Sequence, residues 1–312
     1  MRKFKLVRHA ENNIKAIKRV TKVVERKIKI ASLACSYNRL NKTASFLKSL
    51  LSQPIPENSE LDVYLLDDNS PDGTADYVTK NFPSVQVIKG TGSLFWAGGM
   101  RTLWGEILKK QEYDFYLLLN DDVELFNDAI TRLFEAYNLS DSPANILLGG
   151  VRDPKKQKMT YGGLQLKNRL TGDTTMVEPD SVDLKACDIG NANIMLVDKA
   201  TVNRIGIFAD SWTHAFADFD YTLTAIKSGV KVWLAPGYYG FCENDHGVNW
   251  LSQETPLKKR IEYLYSPKGL SLKDYLHYLR RHFPLSIPEK YVKAWLKTFF
   301  PFIYDNFKKT TV

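Results

Sequence analysis

Short apolar runs that alternate with helically spaced segments constrain this chain more than any other feature. The runs IKIASLACSYNR (28–39), LDVYLLDDNSPDGT (61–74), VQVIK (85–89) and YDFYLLLNDD (113–122) have strand length. Between them, residues 40–56 carry Phe46, Leu47, Leu50 and Leu51 at helical spacing and stop at Pro54, and ADYVTKNF and WAGGMRTLWGEILKK read as helices. This alternation predicts a mostly parallel sheet with helices on both faces. Three of the runs close on polar clusters: Tyr37-Asn38, Asp67-Asp68 and Asp121-Asp122. Ligands of open α/β sheets bind beyond the carboxyl ends of the strands, so the three clusters are expected to converge on one crevice.

Residues 150–185 read as irregular strands and loops. A strand and short helix follow in CDIGNANIMLVDKATVNRIG, then a helix in FADFDYTLTAIKSG and a strand in VKVWLAP. Three domains are expected: a basic amphipathic N-terminal helix over 1–29, an α/β catalytic domain over 30–250 and a C-terminal helical extension over 251–312.

Charge follows the same division. Residues 1–29 hold eleven Lys/Arg against two acids, residues 30–250 twenty against twenty-eight, and residues 251–312 twelve against five. The formal net charge of +8 is thus an acidic centre between basic ends. A nucleic-acid enzyme places its basic stripe across the working face, so no nucleic acid is expected. Basic ends suit an anionic surface, a membrane first. Ile14, Ile17, Val20 and Val24, spaced among lysines and arginines, and the aromatic-basic stretch YVKAWLKTFFPFIYDNFKK suit such an interface or a packed arm, with Pro301 splitting the second. Contact with a second copy is equally compatible with these ends. No apolar stretch long enough to span a bilayer occurs, and no signal-peptide pattern follows the basic start. Cys35, Cys187 and Cys242 form no framework or zinc pattern. A reduced cytoplasmic setting, peripheral to the inner face of the cell membrane, is expected.

The acidic clusters carry the chemistry. Adjacent carboxylates at Asp121-Asp122 repel unless a cation or donor holds them, and a hard divalent ion, Mg²⁺ or Mn²⁺, does so through oxygen. The competing reading is an acidic helix start before FNDAITRLFEAY. Asp68 is an acceptor for a base or ribose donor. Asp218-Phe219-Asp220 offers a base for a hydroxyl nucleophile at Asp218, with Asp220 orienting a neighbour or binding acceptor. Trp212 is a candidate platform for a sugar ring, or an ordinary core aromatic.

The motifs CSYNR (35–39), LLDDNSPDGT (65–74), WAGGMR (96–101), LLLNDDVEL (117–125), GNANIMLV (190–197) and FADFDYTLTAIKSG (216–229) stand in the order and spacing of the family 2 glycosyltransferases, which this chain resembles. The resemblance implies the GT-A fold and inverting transfer from a nucleotide-sugar donor to a glycan or lipid-linked glycan acceptor, in a setting such as bacterial surface polysaccharide synthesis. It implies nucleobase contacts for Tyr37 and Asp68, a ribose-side role for Asp121, metal ligation by Asp122 and base catalysis by Asp218. Gly98, Gly99 and Arg101 fall in the segment passing near the donor, and Asn191 in the acceptor segment. In some relatives a histidine near His246 completes the metal site. Ala217 and Asn120 stand where many members have acids. A nucleotidyltransferase and a non-catalytic sugar- or nucleotide-binding module are the rival functions. The first lacks a Gly-rich phosphate cradle after the first strand, and the second does not need all three acids.

Overall fold

The computed structural model describes residues 26–243 and 254–302. Most of the expected N-terminal helix, and His246, lie outside the described residues. The first half follows the predicted alternation: β1 (Ile28–Ser36), α1 (Leu40–Leu51), β2 (Ser59–Asp67), α2 (Thr74–Asn81), β3 (Val85–Lys89), α3 (Phe95–Lys110), β4 (Phe115–Asn120), β5 (Glu124–Leu125) and α4 (Ala129–Tyr137). β1 pairs in parallel with β2 and β4, and β2 with β3. The register sets Ser36 opposite Asp67 and Cys35 opposite Asn120, so the carboxyl ends of β1, β2 and β4 finish level at one edge.

The second half comprises β6 (Asn145–Arg152), β7 (Met159–Tyr161), β8 (Gly163–Asn168), β9 (Asp173–Met176), β10 (Lys185–Ala186), β11 (Ile189–Gly190), β12 (Ile194–Asp198), α5 (Lys199–Ile205), α6 (Ala217–Lys227) and β13 (Lys231–Phe241). The main sheet runs β10-β13-β6-β12-β4-β1-β2-β3, with β5 beside β13 and β7 beside β6, and β11-β8-β9 form a small second sheet. β12 is antiparallel to both β4 and β6, so the beginning of β12 meets the carboxyl end of β4.

The strands are buried on both faces, which is why they read as continuous apolar runs rather than alternating ones. The two-residue period sorts their side chains. Tyr116 and Leu118, Ile146 and Leu148, and Met195 and Val197 enter one core with Trp104 of α3 and Tyr221 of α6. Leu117 and Leu119, Leu147, and Ile194 and Leu196 enter the other with Phe46 and Leu47 of α1 and Leu133 of α4.

Three further helices follow: α7 (Leu257–Tyr265), α8 (Leu272–His282) and α9 (Ile287–Phe299). Leu264, Leu272 and Ala294 give them a small core of their own. α8 is also joined to the start of α6, where the Phe216 ring stacks on Tyr275 and Tyr278 with centroids 5.6 and 5.1 Å away. Among the described residues no helix is long and apolar enough to cross a membrane.

Candidate active site

The site forms at the level edge of β1, β2 and β4. The chain turns after β1 with Asn38 at φ 55°, a left-handed position that asparagine adopts at low cost. The Asn38 amide donates to Ser70 Oγ (2.9 Å) and the Leu40 amide to Asp72 Oδ2 (2.9 Å), so the turns after β1 and β2 hold each other. Ser70 in turn donates to Asp67, whose carboxylate serves only this turn among its recorded bonds.

This turn delivers Arg39 to the acidic pair. One guanidinium nitrogen lies 3.1 Å from Asp121 Oδ1 and 2.8 Å from Asp122 Oδ2. Asp121 is buried and also accepts from Thr43 Oγ1 (3.1 Å). Burial pushes its carboxyl above the usual range, the Arg39 charge working against that shift. Asp122 faces outward, where it lines a cleft of about 330 Å³ with Lys42, Ser45, Phe241 and Cys242. The Cys242 thiol, 3.6 Å away, donates to Asp122 Oδ1. The two acids are therefore held by a protein cation. Arg39 belongs to the CSYNR motif, in which the resemblance implies a role for Tyr37.

Asp68 has a structural role beside the expected one. Its carboxylate is buried and accepts the amides of Gly92 (2.7 Å), Leu94 (2.9 Å) and Phe95 (3.2 Å). These bonds fasten the loop that opens α3 onto the end of β2, a role that the expected nucleobase contact did not include. Tyr37 remains exposed beside them, with Lys268 Nζ 5.5 Å above its ring. The segment between α7 and α8 thus reaches the turn after β1.

Asp218 comes to the same edge by another route. It occupies the first turn of α6, which begins after Phe216 at φ 68°. The Ala192 amide donates to Asp218 Oδ2 (3.2 Å) and the Phe219 amide to Oδ1 (2.9 Å). Burial pushes the Asp218 carboxyl up to about 6, the two amides pulling the other way. The turn before β12 joins this carboxylate to the acidic pair: the Asn120 amide donates to Asn193 O (3.2 Å), and Asn193 Nδ2 donates to Cys242 Sγ (3.4 Å), beside Asp122. Asn191, in the same turn, is bound to Gly162 through its own amide (2.9 Å) and its Oδ1 (3.5 Å).

Several expected site residues are structural. Trp212 is fully buried and its Nε1–H donates to Asp220 Oδ2 (3.0 Å), so it offers no sugar platform. Asp220 is buried between Trp212, His282 Nε2 (2.6 Å) and Arg281 Nε (2.5 Å), so it anchors α8 rather than an acceptor. Although burial raises its carboxyl, these donors hold it below the usual range. Arg101 donates to the carbonyls of Ala209 (3.2 Å) and Trp212 (3.1 Å), leaving the expected phosphate pairing to other groups. Gly98 and Gly99 are buried in α3; a Cβ on Gly99 would stand 2.3 Å from Cys35 Sγ, so its small size serves contact between helix and strand. No sequence signal pairs Asp220 with His282, which lies 62 positions away.

Two adjacent carboxylates do not complete a metal shell, and among the described residues no group of three or more His, Cys, Asp or Glu side chains stands ready to hold an ion. The pair suits a hard ion such as Mg²⁺, which usually takes one or two carboxylates and fills its shell with water and substrate phosphate oxygens.

Residues 33–179 match the family model described as Glycosyl transferase family 2. The chain shares its fold with a mannosyltransferase, PcManGT from Pyrobaculum calidifontis, solved in complex with GDP-Man and Mn²⁺: TM-score 0.50, 16% identity, 87% of this chain and 70% of that one covered. Structures of TarS from S. aureus, one of them with UDP-GlcNAc, give TM-scores of 0.48 at 18% identity and cover 84% and 76% of this chain. The chain spans 45% and 64% of the length of those two. No curated protein matches it. Residues 33–179 thus carry the match to the family 2 glycosyltransferases, on a sheet of the GT-A fold, and the chain is a nucleotide-sugar-dependent glycosyltransferase.

Proposed function

We propose that the chain transfers its sugar with inversion, in one displacement, with Asp218 as the base. The observation that carries this reading is the Asp218 carboxylate itself: it is fixed by two backbone amides, it makes no ion pair among the described residues, and it is pushed up to about 6 by burial. Such a group is ionised at neutral pH yet basic enough to take a proton in the transition state. The acceptor hydroxyl gives its proton to Asp218 as its oxygen bonds to the anomeric carbon. The bond from that carbon to the donor phosphate breaks, and its electron pair leaves on the nucleoside diphosphate. In this reading the exposed Tyr37 ring stacks on the nucleobase and Asp121 serves the ribose side. Asn191 is placed with the acceptor.

Asp122, backed by Asp121, would hold Mg²⁺ or Mn²⁺, which when bound neutralises the developing diphosphate charge. Arg39 offsets part of the charge of the two acids at the place where the ion would be held. The acceptor is proposed to be a glycan or lipid-linked glycan of surface polysaccharide synthesis, met on the cytoplasmic side of a membrane. The division into an N-terminal helix, a catalytic domain and a C-terminal extension belongs to the same reading.

Replacing Asp218 tests it. Asp218→Asn is expected to lower kcat by roughly 10²–10⁴-fold. The parental kcat/KM is expected to fall as pH drops through about 6. An Asp218→Asn variant with near-parental transfer sinks the base assignment.

A further inference from the structure

Among the described residues, α9 buries one narrow face and leaves a broad apolar one uncovered. Ala294 and Thr298 are its buried residues. On a helical projection Val292, Leu296 and Phe299 fall within about 60° of one another, on the far side of the helix from that pair. All three are exposed, as are Tyr291, Phe300 and Phe302. Leu285, in the short 3₁₀ turn before α9, is 76% exposed.

These side chains form a connected array. Trp295 stacks on Phe299 with centroids 5.3 Å apart, Phe299 meets Phe300 at 6.4 Å and Phe300 meets Phe302 at 6.1 Å. Exposed apolar residues scattered singly are ordinary on a protein surface, but a contiguous aromatic patch marks a binding surface. Lys293, which pairs with the exposed Glu289, and Lys297 flank the stripe on one side, and the segment 251–312 carries twelve Lys/Arg against five acids. An aromatic stripe in a net-basic segment matches a headgroup layer, where amphipathic rings sit at the boundary and basic side chains meet anionic phosphates.

We infer that the outer face of α9, with Leu285 and Phe302 extending it, docks in the plane of an anionic phospholipid surface. The helix lies on the bilayer without crossing it. Lys290 binds Asp173 and α8 is pinned to Asp220, so a docked α9 holds the catalytic sheet at a set attitude to the membrane. The inference does not rest on the reaction proposed above, because vesicle binding is read without turnover.

The test is co-sedimentation of the full chain with vesicles of phosphatidylcholine alone, or of phosphatidylcholine and phosphatidylglycerol in equal parts. The parental chain is expected to pellet with the anionic vesicles, less with the neutral ones, and to be released by salt. The variant Leu296→Ser/Phe299→Ser/Phe302→Ser is expected to weaken binding by roughly tenfold or more, since each serine removes an apolar anchor. Because these side chains are exposed, its unfolding temperature should match the parent. If it does not, Lys293→Glu, which leaves the stripe intact, is expected to weaken binding to the anionic vesicles alone. Absence of parental binding, undiminished binding by the variants, or equal binding to neutral vesicles overturns the inference. So does a parental dimer that the serine variant dissolves while neither protein binds vesicles; the stripe then covers a second copy.

Discussion

Arg39 lies 2.8 Å from Asp122 and, through the same nitrogen, 3.1 Å from Asp121. A guanidinium thus sits on the carboxylates that a divalent ion would need. Removing it leaves two adjacent acids, one of them buried, without their protein cation. Arg39→Met is expected to cost about 1–2 kcal/mol of stability, below the full price of a broken buried pair because Arg39 is itself partly exposed. Added Mg²⁺ or Mn²⁺ should raise the unfolding temperature of the variant more than that of the parent, since an ion that binds only the folded form stabilises it. Equal shifts would show that Arg39 and the ion do not share a place.

Asp218 also has a stability signature. Its folded pKa is raised from 3.8 to about 6. A raised carboxyl favours the fold at low pH, and that contribution is lost as pH rises through about 6. Asp218→Asn removes the titration. The variant is expected to be more stable than the parent at pH 8 by roughly 1–3 kcal/mol, with the gap closing near pH 4. Denaturant unfolding at the two pH values measures it.

Trp212→Phe separates a structural role from a binding one. Phe fills most of the same space but removes the Nε1–H that reaches Asp220. The loss of one donor to a buried carboxylate is expected to cost about 1–3 kcal/mol. If Trp212 does not touch the acceptor, the acceptor KM of the folded variant stays at the parental value. A raised KM with unchanged stability would restore the sugar-platform role.

Gly99→Ala would press a methyl group against Cys35 Sγ, 2.3 Å from the new Cβ, where α3 crosses β1. The overpacking is expected to cost about 1–3 kcal/mol. Adding Cys35→Ala opens the space, and the double variant should recover most of the loss, giving a coupling of roughly 1 kcal/mol or more between the two sites. Additive losses would place the strain elsewhere.

The frame of the molecule was legible because its signals are local. Tyr116 to Leu119 are buried on alternate faces, so β4 reads as an unbroken apolar run, and the polar residues that close β1, β2 and β4 mark one edge of the sheet. The acidic turns were legible for the same reason. What each acid holds was not. Asp68 and Asp220 look alike as acids near helix starts, but the first is spent on three amides of the next loop and the second on His282, Arg281 and Trp212. Apart from Trp212, eight positions from Asp220, those partners are set by tertiary packing, 24 to 62 positions away in the chain, and no spacing rule encodes them. Arg39 stands in CSYNR with nothing local to tie it to Asp121 and Asp122, 82 and 83 positions further along the chain.

The most direct test of the account is nucleoside diphosphate release from a panel of nucleotide sugars in the presence of Mn²⁺ and Mg²⁺, comparing the parental chain with Asp218→Asn. The account predicts that the parental chain turns over at least one donor, that rates fall below about pH 6, and that the variant still binds that donor but turns it over roughly 10²-fold more slowly or less. Equal turnover by the two proteins would contradict it.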